Sequence, residues 1–403
     1  MNSLDAELGR RLEDLDRQVL RRTLRSVESP QQPLMTVGGR QLINFSSNDY
    51  LGLASHPRLR DALIEGAHRF GTGAGASRLI CGNLEPHREL ETELARFKQT
   101  EAALTFSTGY ATALGTVCAL MSQGDIIILD RLVHASIIDA ARLSKATLRI
   151  FAHNDMEQLE AHLSWSQTAR RKPDGAQGQV LVITESVFSM DGDLAPLRNL
   201  VELKERYDAW LMVDEAHATG LYGTHRRGVA EAMEMSPLID IQMGTLGKAL
   251  GVAGGYVAGS QVLVDWLVNR ARSFVFSTAP PPAVACAARA AVRLVASEEG
   301  ERLRQLLWAR VNQVKEAVLA AGWPLPPVQS PILPLFVGPE AAALEVAARL
   351  QAAGFLIPAI RYPTVPKGEA RLRLTVTAAH SPEQISELSV ALRHERLSLS
   401  GPP

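Results

Sequence analysis

Residues 210–217 read WLMVDEAH, and residues 239–255 read IDIQMGTLGKALGVAGG. Each carries an apolar run the length of one strand that ends abruptly in polar groups: Asp214 and His217 in the first, Thr245 and Lys248 in the second. Runs that stay apolar, instead of alternating, predict strands covered on both faces, as in a parallel sheet. The pattern repeats outward. Further β-rich runs lie at 103–106, 125–129, 148–151, 180–184 and 255–258. Helical patterns separate them near 57–69, 86–98, 110–121, 135–144, 155–164 and 196–207. Strands alternating with helices predict an α/β domain on a mostly parallel, seven-stranded sheet.

Beyond this block the stretch TAPPPA at 278–283 punctuates the chain, and long helices are predicted near 283–297 and 300–321. Strands near 332–336 and 372–376, with helices near 340–353 and 382–393, describe a smaller α+β domain. At the other end Leu4, Leu8, Leu12, Leu15, Val19 and Leu20 recur at helical spacing, predicting an amphipathic helix within 4–27. A strand follows at 40–45 and a turn at 46–49. The expected division is 1–45 as an N-terminal helix and strand segment, 46–284 as the large domain and 285–403 as the small one.

Composition narrows the function classes. A net charge of -1 gives nucleic acid or an anionic membrane no electrostatic hold. No uncharged apolar run approaches the length of a membrane span, and the charged N-terminus resembles neither a secretory signal nor a transit peptide. Cys81, Cys118 and Cys286 are scattered and form no CxxC pair, so apolar packing in a reducing cytoplasm is expected, with no metal.

Ligands of such sheets bind beyond the carboxyl ends of the strands, where the polar residues fall. Lys248 is either a loop lysine in water or an amine desolvated among glycines that let a planar ligand approach, ready to form a Schiff base. Asp214 either caps the next helix or partners a cationic ring nitrogen. His217 is in reach of the same ligand or is structural. Ser107-Thr-Gly109-Tyr110 opens a helix whose N–H groups suit a phosphate, although many helices begin with such residues. Thr245 offers a hydroxyl to that phosphate. His134 either stacks on an aromatic ring or simply starts a helix.

Taken in this order, the segments resemble the α-oxoamine synthases, pyridoxal 5'-phosphate (PLP) enzymes of the fold-type I class. The likeness runs from about 42 to 380. It is carried by INFSSNDYLGLASHP, GTGAGASRLICG, FSTGYATALG, RLVHASIIDAARLS, ESVFSMDGDLAPL, LMVDEAHATG, GTLGKALGVAGG and RLRLTVTAAH. The resemblance implies that Lys248 carries PLP as a Schiff base and Asp214 pairs with the pyridinium nitrogen. It places His217 and Ser189 at the ring oxygen, His134 over the ring, and Gly109, Tyr110 and Thr245 at the phosphate. Arg373 would take the amino-acid carboxylate in a bidentate fork, its alternative being a strand-edge surface arginine beside Arg371. Asn48 would assist.

The segments FAHND and AIRYPTVPKGEARLRLTVTAAH resemble most the biotin-pathway branch of that family. That branch joins L-alanine to pimeloyl-CoA or pimeloyl-acyl-carrier protein. It implies that Arg22 or its neighbour Arg21 meets the acyl chain and that Thr364 touches substrate. It also implies a homodimer. The glycine loop departs from the expected GTGSGGS, with alanine at Ala74 and Ala76. Rival expectations are a synthase using glycine and acetyl-CoA, another α-oxoamine synthase, and, more remotely, a non-catalytic partner subunit. The last would lack the lysine.

Overall fold

The computed structural model describes residues 3–172 and 175–399. Its strands are β1 (Leu34–Val37), β2 (Arg40–Asn44), β3 (Ala102–Phe106), β4 (Ile126–Asp130), β5 (Thr147–Phe151), β6 (Val180–Glu185) and β7 (Trp210–Asp214). They continue as β8 (Ile241–Thr245), β9 (Gly255–Gly259), β10 (Ile332–Gly338), β11 (Phe355–Leu356), β12 (Ala359–Ile360) and β13 (Ala370–Thr375). Seven form the large sheet, in the order β3-β9-β8-β7-β6-β4-β5. All neighbours run parallel except β9, which is antiparallel to both β8 and β3. A strand opposed to two neighbours leaves those two parallel, so β3, β6, β7 and β8 finish at one edge.

The unbroken apolar runs have the cause expected of them. Along β4, Ile127 and Leu129 face the helices Gly109–Leu120 and Ala135–Ser144. Ile126 and Ile128 face Met156–Ala169 and Leu197–Arg206 on the other side. None of the four is more than 1% exposed, and each such side chain contributes about 1.5–3 kcal/mol of burial.

Two compact units emerge. The larger holds Asn48–Ser189 and Asp193–Leu306; the smaller holds the chain up to Ser47, Met190–Gly192 and the chain from Leu307 onward. The helix Pro282–Ala296 therefore lies in the larger unit, and the division falls within the helix Glu298–Ala320 instead of near 285. The reason is a close helix crossing. Gly66, in the helix Pro57–Phe70, has no side chain to keep Pro282–Ala296 away; a Cβ there would come within 2.9 Å of Ala283 Cα and Cys286 Sγ.

The smaller unit contains two three-stranded sheets, β1-β2-β11 and β10-β13-β12. Its first helix spans Ser3–Arg17 and stops short of Val19 and Leu20, which the leucine spacing includes. Val19 takes a left-handed φ of 58°, and the last turn closes with Val19 N donating to Asp16 O and Leu20 N to Leu15 O. That pair of bonds is a Schellman stop, with a valine where glycine is usual. Among the described residues no helix is long and apolar enough to cross a membrane.

Candidate active site

The shared edge of β3, β6, β7 and β8 gathers the polar residues. Glu185 and Asp214 end β6 and β7 and are register partners, so their side chains leave the same face of the sheet. Thr245 ends β8 opposite Gly255. Gly255 in turn lies against the start of the helix Gly109–Leu120: a Cβ on it would sit 2.8 Å from Gly109 Cα and 2.9 Å from Gly109 N. Two glycines in contact thus bring a helix N-terminus beside Thr245; a Cβ on Gly109 would lie 3.8 Å from Thr245 Oγ1. Exposed helix N–H groups next to a hydroxyl suit a phosphate.

Lys248 follows β8, and its Nζ lies 2.7 Å from His217 Nε2. The other ring nitrogen, Nδ1, is 2.6 Å from the hydroxyl of Tyr50, and that hydroxyl is 3.4 Å from Asn48 Oδ1. Tyr50 is fully buried. The result is a chain of polar groups from Asn48 through Tyr50 and His217 to Lys248. Nothing in the sequence marks Tyr50 as a member of it.

Asp214 is 5% exposed, and its Oδ1 accepts from Ala216 N at 2.9 Å. Burial pushes its pKa up, opposed by the charge of Lys248 and the Ala216 N–H. A desolvated carboxyl of this kind calls for a cation, and a protonated pyridine nitrogen supplies one. His134 caps the helix Ala135–Ser144, with Nδ1 2.8 Å from Ser136 Oγ and 3.2 Å from Ser136 N. Burial and then the charge of Lys248 lower its pKa, while Asp214 and Asp139 oppose them. Ser189 is half-buried on the loop after β6. Tyr110 is 47% exposed, and its hydroxyl donates to Asp139 at 2.6 Å.

Two clusters brace these loops. Lys98, 1% exposed, donates to Glu215 Oε2 at 2.7 Å and to Arg227 O at 2.5 Å. Glu215 Oε1 accepts from Ala230 N, so the residue after Asp214 is fixed on the opposite side of the strand. The second cluster centres on His153, which lies 3.1 Å from Asp130 Oδ1 and 2.7 Å from Asp193 Oδ2, edge-on to Phe188. Burial lowers its pKa, but hydrogen bonds and charge from Asp130 and Asp193 prevail and carry it to about 9. It pins the segment bearing Ser189 to the end of β4.

The remaining expected residues belong to the smaller unit. Arg373 is 5% exposed on β13, the middle strand of its sheet, and donates to Thr375 Oγ1 at 3.1 Å. It is not a surface arginine on a strand edge. Arg371, two residues away, is paired with Asp191 and lies over the Phe336 ring. Arg21 and Arg22 are exposed, and Arg21 pairs with Asp16 at 2.7 Å. Thr364 is also exposed; its N–H donates to Arg361 O, and Arg361 Nη2 donates to Arg21 O at 2.9 Å. Arg361 thus joins the two segments expected to meet the acyl chain. In the glycine loop Gly71 and Gly75 have positive φ while Ala74 and Ala76 do not, so both alanines sit where a Cβ is allowed.

Comparison with known proteins adds the following. Residues 40–392 match the aminotransferase class I and II family. The 8-amino-7-oxononanoate synthase of Geobacter sulfurreducens is 47% identical over 381 residues, covering 94% of this chain and 95% of its own. Among solved structures, serine palmitoyltransferase from S. paucimobilis, with a bound PLP-myriocin aldimine, superposes with a TM-score of 0.90 at 28% identity, covering 99% of this chain and 98% of its own. The 8-amino-7-oxononanoate synthase of Francisella tularensis superposes with a TM-score of 0.73 at 27% identity, covering 89% and 98%.

Proposed function

This chain belongs to the 8-amino-7-oxononanoate synthases, PLP-dependent acyltransferases within the class I and II aminotransferases, and we propose that it condenses L-alanine with a pimeloyl thioester, releasing the thiol and CO2, in biotin biosynthesis. The cofactor is PLP, which when bound draws electrons from the α-carbon of the amino acid so that its bonds can break heterolytically.

The chain's own residues do the rest. Lys248 would hold the cofactor through its Nζ, and the same amine, when free, would take the α-proton of alanine. Asp214 keeps the proton on the pyridine nitrogen. His217 and Ser189 orient the ring oxygen, and His217 is itself aimed by Tyr50. His134 covers the ring and polarises the incoming thioester carbonyl. The helix start at Gly109 and Tyr110, with the Thr245 hydroxyl, holds the phosphate. Arg373 takes the alanine carboxylate, with Asn48 assisting. Arg22 or Arg21 and Thr364 meet the pimeloyl chain, whether CoA or acyl-carrier protein bears it. A homodimer in the cytoplasm belongs to this assignment, and sedimentation of the purified protein tests the dimer.

The observation that supports it most is Lys248 Nζ held 2.7 Å from His217 Nε2, with the Asp214 carboxyl buried at the end of the adjacent strand. The test is thiol release from pimeloyl-CoA by PLP-loaded protein offered L-alanine, glycine or L-serine. Release with L-alanine alone is expected. Release with glycine and acetyl-CoA instead would replace the substrate pair and keep the chemistry.

A further inference from the structure

Glu185 was not among the residues expected at this site, yet it stands in the middle of it. It ends β6 as the register partner of Asp214, and it is 2% exposed. Its Oε1 has no hydrogen-bond partner among the described residues. The charged groups that face it are Asp214 from β7 and Lys248 from the loop after β8, and backbone amides of His134 and Ser189 approach its carboxyl. Every one of these neighbours is a residue to which the proposed function assigns the cofactor.

Two carboxylates side by side in a buried site cannot both ionise cheaply. Asp214 has a cation to serve, and Glu185 has none of its own. We propose that Glu185 is a positioning residue of the cofactor site that works as a neutral acid. It ties the segments carrying His134 and Ser189 to the sheet edge without setting a second negative charge beside Asp214. The inference rests on the PLP assignment above. In agreement with the geometry, burial and then the charge of Asp214 outweigh the opposing charge of Lys248 and the N–H groups of His134 and Ser189, and raise the Glu185 pKa from 4.5 to about 8.

The sign of the linkage gives a signature that packing alone does not. Below pH 4.5 folded and unfolded chains both hold the proton; between 4.5 and about 8 only the folded chain does. The folded state therefore loses stability relative to a non-titrating side chain as pH rises through that window, and the loss levels off above it.

The experiment compares the parent with Glu185→Gln and Glu185→Ala, using PLP itself as the probe. At pH 7, Glu185→Gln is expected to bind PLP within about threefold of the parent, and Glu185→Ala about tenfold or more weakly, as for an unmade buried hydrogen bond. The Tm of the PLP-free Glu185→Gln protein, relative to the parent, should climb from pH 5 to pH 8. Where Glu185→Ala does not fold, Glu185→Gln decides alone. PLP binding by Glu185→Gln tenfold weaker than the parent, parent-like binding by Glu185→Ala, or a Tm difference flat with pH each overturns the proposal. The parent's own PLP binding and thiol release report separately on the assignment beneath it.

Discussion

The corner where β6, β7 and β8 end and the exposed segments around Arg21 and Thr364 are built on opposite principles. In the corner Glu185, Asp214 and His217 are at most 5% exposed, so each polar group answers to a named neighbour at close range. In the exposed segments Arg21, Arg22 and Thr364 face water, and Arg21 pairs with Asp16 in the open. A charge pair in low dielectric interacts several times more strongly than the same pair in water. A misplaced charge is therefore costly in the corner, whereas a side chain of the exposed segments can change at little energetic risk.

That contrast can be broken at its strongest point first. Lys248→Ala should cut thiol release by at least about 10³-fold, as losses of a covalent group do, and PLP should no longer stay with the protein through gel filtration. Asp214→Asn comes next, at about 10²-fold, the scale of losing one preorganised electrostatic partner. Activity within a fewfold of the parent would mean that the buried carboxyl serves folding only. Tyr50→Phe removes the hydroxyl from His217 and should weaken PLP binding about tenfold while the fold persists. Unchanged affinity would detach Tyr50 from the polar chain.

His153 probes the same corner through pH. Its folded pKa of about 9 exceeds the ordinary 6.5, so its clamp is fully present below pH 6.5 and is lost as pH rises through about 9. The parent's Tm should exceed that of His153→Gln near pH 6, and the gap should close above pH 9. A gap independent of pH would assign the effect to packing on Phe188. The smallest effect belongs to the exposed side. Arg22→Ala should shift stability by no more than about 0.5 kcal/mol and raise KM for the pimeloyl thioester with kcat unchanged. A collapse in kcat would end the contrast.

Most of this corner is legible in the sequence because its chemistry sits at strand ends. Asp214 betrays itself as a carboxylate closing an apolar run, and Lys248 by its glycine surroundings. The same signal was available for Glu185, which closes Val180–Glu185 in the same way. Tyr50 had no such signal, because an aromatic ring in a polar turn reads equally well as core. Lys98 and Glu215 were hidden for a related reason: a lysine at a helix end normally reads as solvated, and only the folded chain buries it against its partner. The early stop of the first helix was also invisible, since leucine spacing persists past Arg17 while the backbone turns at Val19.

Because β9 runs against β8, Thr245 and Gly255 lie directly across from each other, and the segment that carries Lys248 is a closed detour between two fixed posts. Its path can be lengthened, shortened or re-aimed without sliding any strand. The lysine's reach is thus separable from the register of the strands on either side. Grafted variants of this one detour offer a way to retune the reaction without rebuilding the sheet.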